Sequence, residues 1–286
     1  VKAVYENPGW FLSKEDKRLL EKVYKGFARN GAALPADKQE LYRQYTTELG
    51  EMTLKFGQNS LAATNAFTLN ITDPKRVEEL PDFVKEGMAA EAKARGEKGW
   101  TVTLQYPSYV PFMTYSSDRE AKEKLWRASN ARALGGEFDN CENIRHIVDL
   151  RRQIAGLLGY ETFADYVLEE RMAENTKTVN AFLQELLDQT IDFAKADYEM
   201  IADYAHAQGF EGDVMPWDWS YYTEKYKNEK YALSDEQVKP YFELEKVKKG
   251  VFLLANKLYG LNFTKRDDIA VYHPDVTAYE VTDGKG

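Results

Sequence analysis

Pro35-Ala-Asp-Lys-Gln-Glu-Leu-Tyr-Arg-Gln-Tyr-Thr-Thr-Glu-Leu-Gly-Glu-Met-Thr-Leu-Lys-Phe-Gly-Gln-Asn-Ser-Leu-Ala-Ala-Thr-Asn-Ala-Phe67 reads as one long helix. Leu41, Tyr45, Leu49, Met52 and Phe56 recur at the spacing that lines one helical face. Pro35 suits the start, because a first-turn residue needs no donor N–H. At about 1.5 Å per residue, the helix is on the order of 45 Å long.

Upstream, Ser13 and Asp16 have capping-box spacing, with Asp in place of the usual Glu or Gln. Leu19, Leu20, Val23, Tyr24 and Phe27 follow as an apolar stripe, and Gly31 supplies the stop. The two segments read as an antiparallel helical hairpin over about 13–67. Downstream, helical patterns resume near Asp118, near Asn143 up to Gly159, and from Thr176 to His206. After a loop at 210–217 come an aromatic-rich helix (218–231), a capping box at Ser234 and Gln237, and a helix from Leu244 to Tyr259 closed by Gly260.

Extended patterns are few. Trp100-Thr-Val-Thr-Leu-Gln105 reads as a strand, and prolines at 107 and 111 predict an irregular path to Tyr115. From Ile269 the pattern turns extended again. The expected fold is mainly α: long antiparallel helices with short strands near 100–105 and 269–282. Residues 1–268 are expected to be one helical body and 269–286 the start of a β element. That last strand has no obvious partner in the sequence, so the chain is expected to be truncated at Gly286.

The 286 residues carry 38 Lys and Arg against 47 Asp and Glu, a formal charge of -9. This balance argues against nucleic acid or an anionic membrane as partner, since both require a basic patch. One cysteine, Cys141, excludes an internal disulfide and any thiolate metal site within the chain. In its polar setting, Asp139-Asn-Cys-Glu142, it reads as a bystander thiol in a loop. No apolar run is long enough to span a bilayer.

No phosphate loop, dinucleotide fingerprint or serine nucleophile elbow is present. The three histidines can be weighed singly. His146 shares a helical face with Glu142 and Asp149, opposite Ile144, Ile147, Val148, Ile154 and Leu158; this reads as a solvated polar face. His206 follows Asp203 by three residues, half of a di-metal pattern whose second half is missing. His273 precedes Pro274 at a strand break and reads as structural. None stands in H-E-x-x-H, the zinc-binding pair with its Glu base. The most unusual feature is Trp217-Asp-Trp-Ser-Tyr-Tyr222. Its rings either pack in a core behind Asp218 as cap, or line a groove for an extended peptide. Trp217, Tyr221 and Tyr222 are the candidate substrate-binding residues.

Several stretches carry a family resemblance. They are Phe56-Gly-Gln-Asn-Ser-Leu-Ala-Ala-Thr-Asn-Ala-Phe67, Leu104-Gln-Tyr-Pro-Ser-Tyr-Val-Pro-Phe-Met-Thr-Tyr115 and Ile154-Ala-Gly-Leu-Leu-Gly-Tyr160. Trp217-Asp-Trp-Ser-Tyr-Tyr-Thr-Glu-Lys225, Tyr231-Ala-Leu-Ser-Asp-Glu-Gln-Val-Lys-Pro-Tyr-Phe242, Leu253-Leu-Ala-Asn-Lys-Leu-Tyr-Gly260 and Tyr272-His-Pro-Asp-Val-Thr-Ala-Tyr-Glu-Val281 complete the set. In order and content they resemble the thimet-oligopeptidase-like zinc metallopeptidases. The Leu253–Gly260 and Thr277–Val281 forms are more similar to the peptidyl-dipeptidase branch than to the oligopeptidase A branch.

The resemblance implies a channel between two helical halves and zinc hydrolysis that removes C-terminal dipeptides from oligopeptides. It places the family's H-E-x-x-H, its further zinc-ligand Glu and its transition-state-stabilising groups downstream of the matched stretch. No catalytic or metal-binding residue is therefore assigned to this chain, which is expected to be inactive and zinc-free by itself while the intact enzyme binds zinc. The expected partners are oligopeptides, with neither nucleic acid nor membrane involved and the protein a monomer. The expected compartment is the cytoplasm, with the periplasm as alternative because the chain opens on Val1 rather than Met. The competing expectation is a stand-alone, non-catalytic helical peptide-binding module.

Overall fold

The chain is mainly helical, and the side chains of Ser13, Asp118, Thr162 and Asn175 cap four of its helix starts. The computed structural model describes residues 1–9, 11–232 and 235–285; the capping box expected at Ser234 lies outside the described residues. The chain divides into two units, Val1–Glu224 and Lys225–Gly286.

In the first unit, helix α1 (Lys2–Glu6) precedes α2 (Lys14–Phe27), and Tyr5 stacks on Tyr24 at 4.0 Å. The capping box is formed: Ser13 Oγ accepts the Asp16 N–H, and Asp16 accepts the Ser13 N–H, both at 3.1 Å. A π-type turn (Ala28–Ala32) leads to Gly31, whose φ of +84° lets the chain leave the helix. A Cβ there would sit 2.8 Å from the Tyr42 ring. Helix α3 (Ala36–Ala66) follows as the sequence predicts.

Strand β1 (Thr68–Ile71) comes next, then a 3-10 turn (Pro74–Val77), α4 (Asp82–Ala94) and β2 (Trp100–Thr103). The strands pair antiparallel, Thr68 opposite Thr103 and Ile71 opposite Trp100. The segment expected to be irregular is instead helix α5 (Tyr106–Tyr115). Pro107 occupies its first turn, and the N–H that Pro111 lacks would have served only the carbonyl of Pro107. The helix forms because it buries Phe112 and Met113.

Helices α6 (Arg119–Asn130), α7 (Cys141–Leu157), α8 (Phe163–Leu168) and α9 (Thr176–Ala207) complete the run before α10 (Pro216–Tyr231), within which the two units divide. Cys141 thus opens α7 rather than lying in a loop. The main packing partner of α3 is α7, not α2. Asn140 and Asn143, both buried, donate to the Phe56 and Met52 carbonyls of α3 at 3.1 and 3.0 Å. Asn59 donates back to Asn140 at 3.1 Å. These bonds fix the register of two apolar surfaces that could otherwise slide. The core lies where β1, β2, α4, α5 and α6 meet: Ile71, Val84, Met88, Val102, Phe112 and Leu125, with Trp217 of α10 closing it.

In the second unit, α11 (Asp235–Val238) and a 3-10 turn (Lys239–Phe242) lead to α12 (Leu244–Tyr259). Gly260, at φ +70°, ends that helix as expected. Strand β3 (Asn262–Arg266) then pairs antiparallel with β4 (Ala278–Thr282). The expected strand over 269–282 is thus shorter, with turns before Ala278. Its supposed lack of a partner is corrected as well: Phe263 lies opposite Val281, and Arg266 bonds Glu280 at 3.0 Å. Phe252 of α12 stacks on Phe263 at 4.3 Å.

Candidate functional site: the aromatic turn of helix α10

Pro216 starts α10, and the first turn presents Trp217, Asp218 and Trp219 in succession. Successive helical positions point about 100° apart, so the three side chains part company. Trp217 enters the core, 4% exposed, edge-on to Trp126 of α6 at 5.6 Å. Its Nε1 has no hydrogen-bond partner among the described residues. Trp219 stacks on Tyr198 of α9 at 6.2 Å. Tyr221, also buried, lies over the Lys122 ammonium at 4.2 Å. Tyr222 is half-buried and packs on Phe210 at 5.4 Å. Its hydroxyl is pushed above the ordinary phenol range, chiefly by burial and then by Tyr221 and Asp218, so it stays a donor at neutral pH.

Asp218 is the surprise of this turn. It is 1% exposed and does not cap the helix from outside; it sits in the first turn and accepts the Met215 N–H at 3.0 Å. Its partner is Arg119, the first residue of α6. The guanidinium gives its Nε to both carboxylate oxygens at 3.0 and 3.1 Å and its Nη2 to Oδ2 at 3.0 Å. It lies 5.3 Å from the Phe210 ring and 5.8 Å from the Trp217 ring. Next to it in sequence, Asp118 caps α6 through the Ala121 N–H at 3.1 Å and takes the Arg76 Nε at 2.5 Å. A carboxylate set between two tryptophans was the available signal: a charge there is not tolerated without a partner.

The three candidate residues therefore share one helix but not one surface. Trp217 and Tyr221 are packing residues of the first unit, while Tyr222 stands beside Arg119 at its edge. Among the described residues the arrangement contains no apposed nucleophile and base.

Zinc chemistry requires three or four gathered donors. The histidines are occupied separately. His146 meets Glu48 of α3 at 2.6 Å, with Glu142 paired to Arg145 and Asp149 bonded to Arg152 at 2.8 Å. His206 bonds the Gly212 carbonyl at 2.9 Å, and His273 approaches Asp275 at 3.6 Å. Among the described residues no three His, Cys, Asp or Glu side chains come together as a metal site. Among the described residues no gathered donor set fits a zinc ion. Nor, among the described residues, is any helix long and apolar enough to cross a membrane.

Comparison with known proteins defines the class. The model of Peptidase family M3 matches residues 112–286, and the chain belongs to that family. It is 33% identical to oligopeptidase A of Salmonella typhimurium over 277 residues, 95% of this chain and 41% of the relative. It is 33% identical to dipeptidyl carboxypeptidase of Escherichia coli over 282 residues, 96% of this chain and 41% of the relative. It is 35% identical to the organellar oligopeptidase A of Arabidopsis thaliana over 296 residues, 100% of this chain and 37% of the relative. The chain spans about two fifths of the length of these relatives. The equal identities give neither the oligopeptidase A nor the dipeptidyl carboxypeptidase branch an advantage.

Proposed function

We propose that this chain is part of the helical wall of a zinc-dependent peptidase that releases dipeptides from the C-termini of oligopeptides, the metal being held by residues of the whole protein outside this stretch. The observation that carries the reading is membership of Peptidase family M3 together with similarity to a relative named dipeptidyl carboxypeptidase. The chain's role is to bind and orient substrate through the edge of α10 at Tyr222, with Trp217 and Tyr221 fixing that edge from behind. A wall that binds without cutting suits an enzyme whose metal polarises the scissile carbonyl elsewhere in the channel.

The test is metal analysis and peptide hydrolysis on the intact protein that carries this chain. One zinc per molecule, with activity lost on chelation and restored by zinc, supports the reading. Full hydrolysis after complete zinc removal overturns it. Tight binding of oligopeptides without any turnover, with or without added zinc, would favour the non-catalytic binding module.

A further inference from the structure

Arg119 carries five N–H donors in a planar fork. Asp218 occupies the side edge, taking Nε–H and one Nη2 hydrogen. That leaves the end edge, where Nη1 and Nη2 present two parallel N–H groups at the spacing of a carboxylate. No hydrogen bond or ion pair engages Nη1 among the described residues, and the side chain is 46% exposed. The guanidinium plane is fixed twice, by a carboxylate that is itself 1% exposed and by the Phe210 and Trp217 rings. Glu123, whose charge also acts on Arg119, is paired with Arg127 at 2.8 Å. Tyr222, whose ring packs on Phe210 at 5.4 Å, keeps its hydroxyl protonated. The pairing that satisfies buried Asp218 also leaves Arg119 ordered before an anion arrives, so its ordering entropy is already lost before binding.

We propose that the end edge of Arg119 is a docking point for the terminal carboxylate of an oligopeptide. The proposal rests on the peptidase reading for its choice of anion. It adds a named cationic anchor and a requirement: the peptide must end in a free acid.

The experiment is calorimetric titration of the full chain with N-acetyl-tetra-alanine as free acid and as C-terminal amide. The acid is expected to bind at least about tenfold more tightly than the amide, as befits a charge-assisted pair. Arg119→Gln should bring the acid down to the amide's affinity. Glu123→Gln, at a half-buried position, should tighten the acid several-fold by removing a nearby negative charge and leave the amide unchanged. This second variant decides the matter if Arg119→Gln unfolds. Equal affinities for acid and amide, no binding of either, a preference that survives Arg119→Gln, or acid affinity unmoved by Glu123→Gln would each overturn the proposal. Failure here, with the intact protein still releasing dipeptides, would sink the anchor and leave the peptidase reading standing. An acid preference in a protein that never hydrolyses peptides would do the reverse.

Discussion

Asp218 and Arg119, 99 residues apart in sequence, meet as a three-bond ion pair in which the carboxylate is buried and the guanidinium half-exposed. The pair joins the first turn of α10 to the start of α6, the two elements that carry Trp217 and Trp126 into the core.

Asp218→Asn keeps the shape but removes the charge that orders Arg119, and one of its acceptor positions becomes a donor. A loss of about 2 kcal/mol in unfolding free energy is expected, read from urea titration. A change within error would show that the pair contributes nothing to stability.

Gly99 has φ +84°, and a Cβ there would lie 2.3 Å from the Ile71 carbonyl oxygen. That oxygen belongs to β1 and cannot retreat without opening the strand pair at Ile71–Trp100. Gly99→Ala should therefore destabilise the chain by about 2 kcal/mol or more. Gly96, also at positive φ but with open space around it, is the control, and Gly96→Ala should cost visibly less.

Asp139 is held at about 2 by the Cys141 thiol first and then by the Gly135 and Cys141 backbone N–H groups. Because the folded value lies below the ordinary 3.8, its contribution is complete above that pH and disappears as pH falls towards 2. Asp139→Asn should flatten the loss of stability in that acid window, checked by thermal melts from pH 5 to pH 2. The same contact raises the Cys141 thiol, so the variant should also be alkylated faster by iodoacetamide at pH 8.

If the proposed peptidase activity holds, Tyr222→Ala in the intact protein should raise KM more than it lowers kcat, as expected of a ring that holds peptide without touching the reacting bond. Tyr221 is buried over Lys122, so Tyr221→Ala should act on stability, by about 3 kcal/mol. Unchanged kinetics in Tyr222→Ala would return that ring to packing alone.

Helices α2, α3, α6, α7, α9, α10 and α12 were legible because their signals are local. Ser13 with Asp16, the stripe from Leu41 to Phe56, Asp118 before α6 and Gly260 after α12 each specify a start, a face or a stop. Helices α1, α4 and α8 were not anticipated, and neither were three further features. Strand β1 follows α3 after Phe67 alone, so no turn residue announces it; only pairing with Trp100–Thr103 makes it a strand. Helix α5 contains two prolines that argue against it and forms because burial of Phe112 and Met113 outweighs them. The partner of Asp218 lies 99 residues upstream, beyond any periodicity argument. The resemblance to zinc peptidases was carried by whole motifs, and family membership bears it out.

The products of peptide hydrolysis test the proposed peptidase most directly. The intact protein carrying this chain should be incubated with N-acetylated oligoalanines of increasing length and the products followed by mass spectrometry. Successive loss of dipeptides from the C-terminus is the predicted result. Cleavage at internal bonds without dipeptide release, or intact substrate with zinc present, would contradict it.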